Sequence, residues 1–313
     1  MTARTWLGGR GNNANDARDW SPGGAPQPGD TLTMNRGTIN IGADNPLGSD
    51  WLTVTGNATL NLRGTTGDHL NFTGRYGPGN TPIKDTVNLI NSDAWITGHQ
   101  ANVTVRTSGN SHLFLYPDVP RGSGLTATIK NSGVLDASFS GYMSYRIDGG
   151  TFQNEGSGGG FDGTTAVINA DVVGTGSWLE TPDHASYGKL EFMQSVSAGQ
   201  TVQMINGAAG GYSLLQIDQP GRFAGEIKFN TYMGVIDLPK LAADSYSYDA
   251  AAGALDFWHG NTLLAALRFS TAENYTVAKG TSTGGAGVEI FSTDTGWRIP
   301  HGALLDTHYV PTA

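Results

Sequence analysis

Several components that are common in globular proteins are scarce in this chain. It contains no cysteine among its 313 residues, which excludes disulfide bonds and thiolate metal sites. Charged residues make up 14% of the chain, compared with about 25% in average proteins. The 18 Lys and Arg residues are thinly spread and the net charge is −9, so we expect neither a nucleic-acid partner nor binding to an anionic membrane surface.

Long apolar runs are also missing. No run approaches the ~18 apolar residues needed to cross a bilayer, so we expect no transmembrane segment. The first residues do not show a basic region followed by an apolar run, so no secretory signal peptide is visible. The seven histidines are scattered and no H-E-x-x-H pattern occurs, so a transition-metal site is not expected.

Short alternating runs that end at Gly or Asn dominate the sequence from about residue 31 to 229. Apolar and polar residues alternate in these runs, as they do in β-strands with one buried face. Glycine is about twice as frequent as usual, with 46 residues. Four clear runs are 38–42, 58–64, 87–92 and 127–133. This pattern is typical of stacked β-coils, and nothing in the stretch has the period of a long helix.

These runs predict an all-β fold, namely a single-stranded right-handed parallel β-helix (solenoid) with an N-terminal cap and a small β-rich C-terminal module. We expect the cap at residues 1–31, the parallel β-helix at 32–238, and the C-terminal module and tail at 239–313. Trp6 and Trp20 are expected to cover the open apolar end of the first coil, because a solenoid must protect its terminal edge.

Asparagines at the ends of β-forming runs are the expected corner residues. An Asn can adopt the left-handed backbone conformation and bond a neighbouring backbone group, although an ordinary solvent-facing turn explains it as well. The candidates are Asn91, Asn131, Asn154 and Asn169.

Short motifs at both ends of the alternating region form a recognisable set. The start combines a Trp-x-Gly-Gly motif at 6–9, an Asp-Trp-Ser-Pro step at 19–22 and a Pro-Gly-Asp-Thr turn at 28–31. Later segments of the same set are 190–192, 196–202, 215–218, 223–227 and the terminal stretches 246–249, 253–260 and 266–269. Together they resemble autotransporter-passenger-like and adhesin-like β-solenoid proteins of Gram-negative bacteria. The resemblance implies a scaffold that is secreted or held at the cell surface, and it implies no particular chemistry.

Residues 177–192 hold the densest mixture of aromatic, acidic and basic side chains, and we expect them to form a long excursion between coils. Aromatic rings stack on the apolar faces of sugars, and polar groups accept bonds from sugar hydroxyls. The candidate ligand-binding residues are therefore Trp178, His184 and Tyr187. The alternative interpretation is a solvated loop whose Trp178 packs on the core.

The same segment also supplies the carboxylates that an enzyme would need. Glycoside hydrolysis uses a pair of carboxyl groups across the scissile bond, and a polysaccharide lyase uses a base near acidic calcium ligands. If the chain is such an enzyme, its candidate catalytic residues are Glu180, Asp183 and Glu191.

Three acids beside Gly-rich turns are weaker candidates for a calcium site. Asp148, Glu155 and Asp162 could bind Ca²⁺ if adjacent coils brought their oxygens together. The alternative is that they are exposed turn residues, and apart from calcium we expect no cofactor.

These patterns favour a secreted or surface-associated structural or adhesive β-helix that associates with itself or binds a polysaccharide. The alternative is a glycoside hydrolase or lyase acting on an extracellular polysaccharide. If some of the seven tryptophans formed an exposed row, that row would indicate a carbohydrate-binding surface.

Overall fold

The computed structural model describes most of the chain. The described residues are 2–8, 12–27, 30–42, 51–55, 58–64, 68–73, 85–99, 102–117, 125–139, 143–155, 157–161, 165–181, 187–205, 212–230, 234–249, 251–270, 275–280, 287–292 and 304–307. They form two compact units, Met1–Gln153 and Asn154–Ala313.

Among the described residues, the first unit contains strands and one short 3₁₀ helix, Ala17–Asp19. Its strands are β1 (Ala3–Trp6), β2 (Trp20–Ser21), β3 (Thr31–Met34), β4 (Gly37–Gly42), β5 (Trp51–Val54), β6 (Ala58–Arg63), β7 (Asp68–Thr73), β8 (Asp85–Ile90), β9 (Asp93–His99), β10 (Asn102–Ser108), β11 (Asn110–Pro117), β12 (Leu125–Asn131), β13 (Val134–Phe139) and β14 (Met143–Gln153).

Two parallel ladders run through this unit. The odd-numbered strands β3, β5, β7, β9, β11 and β13 pair in that order. The even-numbered strands β4, β6, β8, β10, β12 and β14 form the other ladder. Leu32 pairs with Leu52, and Leu52 with Leu70, so each strand returns beside its own ladder after about 20 residues. This arrangement confirms the predicted parallel β-helix.

The core of the first unit follows from the alternation in the sequence. In β6 and β8, Leu60, Leu62, Val87 and Leu89 are fully buried while the residues between them point outward. At the N-terminus Trp6 and Trp20 are also buried, with their ring centroids 5.2 Å apart. Because β1 pairs with β3 in parallel and with β2 in antiparallel orientation, these strands cover the edge of the first coil.

The second unit contains the 3₁₀ helix Pro220–Arg222 and further strands. These strands are β15 (Ser157–Phe161), β16 (Thr165–Val173), β17 (Ser177–Thr181), β18 (Tyr187–Phe192), β19 (Thr201–Ile205), β20 (Tyr212–Ile217), β21 (Glu226–Asn230), β22 (Gly234–Leu238), β23 (Ser245–Asp249), β24 (Ala254–His259), β25 (Thr262–Phe269), β26 (Tyr275–Gly280), β27 (Gly287–Ser292) and β28 (Leu304–Thr307).

Parallel ladders also form the second unit, and antiparallel strands follow them. One ladder runs β15, β17, β19, β21 and the other β16, β18, β20, β22. After Leu238, β27 pairs with β22 in antiparallel orientation, and β23, β24 and β25 form an antiparallel meander. β25 joins the first ladder through a short parallel pairing with β21.

Candidate functional site

Residues 177–192 are not the long excursion that the sequence suggested. Residues 177–181 form β17, which pairs with β15 and β19, and residues 187–192 form β18, which pairs with β16 and β20. Both segments are therefore regular strands of the solenoid, and 182–186 alone lies outside the described residues.

Trp178 belongs to the core of the second unit. Its side chain is fully buried, and its ring meets Phe192 edge-on at a centroid distance of 5.0 Å. The indole Nε1 donates a hydrogen bond of 2.9 Å to Gln200 Oε1. A fully buried ring cannot stack on a sugar. Trp178 is therefore a core residue, which agrees with the alternative interpretation that it packs on the core.

The other candidates of this segment are only partly described. Glu180 and Tyr187 lie in β17 and β18, and only their backbone positions are described, while Asp183 and His184 lie outside the described residues. Glu191 points outward from β18, where its Oε2 pairs with Lys189 Nζ at 2.9 Å and its Oε1 accepts from Gln216 Nε2 at 3.2 Å.

Two of the three calcium candidates bond to neighbouring side chains. Asp148 is held by Arg146, whose Nη2 lies 2.8 Å from Asp148 Oδ1. Glu155 Oε2 accepts from Thr175 Oγ1 at 2.8 Å. Asp162 lies outside the described residues. Among the side chains that the structure describes, no group of three or more His, Asp or Glu is placed to hold a metal ion.

A row of aromatic side chains lies instead on the outer face of the odd-numbered ladder of the first unit. His69 in β7 pairs in register with Trp95 in β9, and Trp95 pairs with Phe114 in β11. Trp95 and Phe114 stack with centroids 4.2 Å apart and planes inclined by 23°. His69 meets Trp95 edge-on at 5.5 Å. We call these three residues the aromatic row.

The aromatic row is partly exposed because its members occupy the outward positions of their strands. The flanking residues of β9, Ala94 and Ile96, are fully buried, while Trp95 between them has intermediate exposure. His69 and Phe114 have the same intermediate exposure. Successive strands of a sheet lie about 4.8 Å apart, so the three rings form a strip along the direction in which the coils stack.

Polar residues line both sides of the aromatic row. On one side, Asp93 and His112 pair in register, and the His112 ring lies 4.2 Å from that of Phe114. On the other side, Asn71 pairs with Thr97. Asn71 Oδ1 and Thr97 Oγ1 are buried and have no hydrogen-bond partner in the described part of the chain. Buried polar atoms of this kind are uncommon, since most find a protein or water partner.

The aromatic row is not recognisable in the sequence because its members are far apart in the chain. The pattern that could have identified them is the alternation itself. Trp95 and Phe114 each occupy an outward position between two buried residues, and His69 precedes the buried Leu70. A row of several exposed tryptophans was expected to indicate a carbohydrate surface, whereas the aromatic row contains one tryptophan, Trp95. The unequal lengths of the coils hid which residues would align.

No protein-family model matches the chain, and no curated protein matches it. In the described part of the chain, no helix has the length and apolar character needed to span a bilayer.

Proposed function

We propose that this protein is a structural or adhesive β-solenoid that binds a glycan through the aromatic row without turning it over. The observation that supports this proposal is the strip of partly exposed, aligned rings formed by His69, Trp95 and Phe114. A location outside the cell or on its surface is part of the proposal, and the motifs that resemble bacterial adhesin-like solenoids support it.

The chemistry of the row suits a sugar chain. Trp95 and Phe114 stack on each other, so the parts of the rings that stay exposed would contact the apolar C–H surfaces of sugars, through the hydrophobic effect and dispersion. Asp93 and His112 beside the rings can exchange hydrogen bonds with sugar hydroxyls. Because the row repeats along the stacking direction, it matches an extended polymer better than a single small molecule.

The test is a glycan-array and polysaccharide-binding screen of the wild type and the Trp95→Ala variant. We expect Trp95→Ala to weaken binding at least about tenfold, since aromatic anchors commonly contribute more than 1 kcal/mol to an interface. The matched control is Trp258→Ala, which removes another partly exposed indole, one bonded to Ser247 in the second unit. Circular dichroism and thermal unfolding of both variants verify that the fold is retained.

Two results would contradict the proposal. Equal binding by the wild type and Trp95→Ala would show that the aromatic row does not bind the glycan. Release of shortened products from any polysaccharide would show turnover and favour the glycoside hydrolase or lyase alternative, and mutagenesis would then begin with Glu180, Asp183 and Glu191.

A further inference from the structure

The even-numbered ladder of the first unit presents a different outer face, built from two rows of polar residues. One row consists of threonines in register: Thr38, Thr59, Thr86, Thr104 and Thr128. The parallel row, two residues further along each strand, consists of Asn40, Asn61, Asn88, Arg106 and Lys130. We call the second row the amide-basic row.

The first three members of the amide-basic row are joined by their own side chains. Asn61 Nδ2 donates to Asn40 Oδ1 at 2.7 Å, and Asn88 Nδ2 donates to Asn61 Oδ1 at 2.6 Å. Each amide nitrogen carries a second N–H and each amide oxygen a second lone pair. The ladder therefore fixes the orientation of the amides and leaves hydrogen-bonding capacity for another molecule.

A groove of about 440 Å³ runs beside the basic end of this row. Its outward-facing lining comprises Asn61, Asn88, Arg106 and Lys130 on one side and Ile90, Ser108 and Ser132 on the other. Ile90 is 39% exposed and contributes an apolar patch. The lining thus combines amides, hydroxyls and two cations with a small apolar surface, and none of its described residues is acidic.

The two cations of the groove have no acidic partner among the described side chains. Arg106 and Lys130 are both exposed, and neither takes part in an ion pair within that part of the chain. Asp148 follows Lys130 in register, but its carboxylate is held by Arg146. Arg63 pairs in register with Ile90 and adds a third exposed cation near the rim. Such an uncompensated cluster is unusual on a chain with a net charge of −9.

We propose that this groove binds the carboxylate or sulfate groups of an acidic polysaccharide. The Arg106 guanidinium and Lys130 ammonium would pair with the anionic groups, and Asn61, Asn88, Ser108 and Ser132 would bond sugar hydroxyls. A nucleic acid fits less well, because three cations cannot offset the repulsion between a polyphosphate and an acidic protein. This inference rests on the proposed function, from which it takes the class of ligand, a glycan. It adds that the glycan is negatively charged.

The test uses two polymers of the same backbone, polygalacturonate and its carboxyl-reduced neutral galactan, with dextran sulfate as a sulfated probe. Binding of the wild type, of the double variant Arg106→Gln/Lys130→Gln and of Trp95→Ala is measured at several salt concentrations. The matched control is Arg36→Gln/Lys228→Gln, which removes the same charge from residues that are not in the groove.

We expect the groove variant to bind polygalacturonate or dextran sulfate at least about tenfold more weakly than the wild type, because charge-assisted hydrogen bonds are stronger than neutral ones. Its affinity should also depend less on salt. Binding to the neutral galactan and binding by the control variant should stay unchanged. The preferred polymer then distinguishes carboxylate from sulfate recognition.

Other outcomes separate the failure of this inference from that of the proposed function. If the wild type binds neither acidic polymer, or if the groove variant binds both as tightly as the wild type does, the groove is not an anion site. If Trp95→Ala weakens glycan binding while the groove variant binds both acidic polymers as tightly as the wild type does, the aromatic row remains and the groove assignment is overturned. Equally tight, groove-dependent binding of single-stranded DNA would overturn the assignment to a polysaccharide.

Discussion

Asp85 is a buried carboxyl group at the start of β8. It is 1% exposed, and its Oδ1 accepts a hydrogen bond of 3.0 Å from the Ala58 backbone N–H. Its Oδ2 has no hydrogen-bond partner in the described part of the chain. Burial raises the pKa of Asp85 from 3.8 to about 7, because desolvation of the charged form outweighs the bond from Ala58.

This raised pKa predicts a pH-dependent stability. The unfolded chain ionises Asp85 near pH 3.8 but the folded chain only near 7, so the folded state holds the extra proton between them. The contribution of Asp85 to the free energy of unfolding is therefore fully present below pH 3.8. It falls by up to about 1.4 kcal/mol per pH unit as the pH rises towards 7. Urea unfolding should show that Asp85→Asn is progressively more stable than the wild type over that window. Parallel pH profiles of the two proteins would contradict this assignment.

Gln200 is a second residue whose burial has a measurable consequence. Its side chain is fully buried, where Oε1 accepts from Trp178 Nε1 and Asn154 Nδ2 while Nε2 donates to the carbonyls of Asn154 and Val173. Gln200→Leu would leave these four groups without their partner, and we expect a loss of about 3 kcal/mol or more in the free energy of unfolding. Chemical denaturation measures the loss. Gln203→Leu, at an outward position of β19, is the control and should change stability little.

At the scale of the element, the corners between strands depend on left-handed backbone positions. Asn91 has a φ of +48° at the corner after β8, and its Oδ1 accepts from the Asn110 N–H of the next coil at 3.1 Å. Gly109 occupies the following corner with a φ of +67°. A Cβ at Gly109 would overlap with Asn91 Oδ1, so this corner requires glycine for conformation and for space.

The geometry at Gly109 predicts that alanine substitutions at Gly109 and Gly260 differ in their effect on stability. Gly109→Ala should lower the free energy of unfolding by more than about 2 kcal/mol, because it combines an unfavourable φ with displacement of the Asn91 amide. Gly260→Ala has a similar φ of +56°, but no atom lies within 4 Å of the added Cβ. Thermal unfolding of both variants isolates the steric part. Equal losses would show that the contact with Asn91 contributes nothing.

The sequence allowed prediction of the strands and of some corners, but not of their alignment. Alternation identified β6 and β8 because the period of two is local, and Asn91 was recognised as a corner residue. Asn169 was expected at a corner but lies within β16, since its run continues to Val173. The aromatic row depends on how many residues each coil contains, and no local pattern fixes that number. Trp178 was a candidate for sugar binding for a different reason, because a strand that follows a Gly-rich turn resembles a loop; the alternative interpretation placed it on the core.

At the scale of the molecule, the N-terminal strands protect an edge that could otherwise pair with another chain. Trp20 packs on Trp6 and donates through Nε1 to the Ala14 carbonyl at 2.8 Å. Trp20→Ala should loosen this cover and promote concentration-dependent association through the exposed edge of β3. Light scattering of Trp20→Ala and of the Trp258→Ala control measures the effect. Identical mass for both variants at every concentration would argue against an edge-protecting role.

The register of the ladders also bears on how such a chain can change over evolutionary time. Thr59 pairs with Thr86 and Thr86 with Thr104, although the second step spans fewer residues than the first. The connections between strands absorb this difference, and each outer row stays aligned. Duplication of one coil would therefore lengthen a row by one side chain without disturbing its neighbours, so binding sites on this fold can grow or shrink by whole coils while the core remains the same.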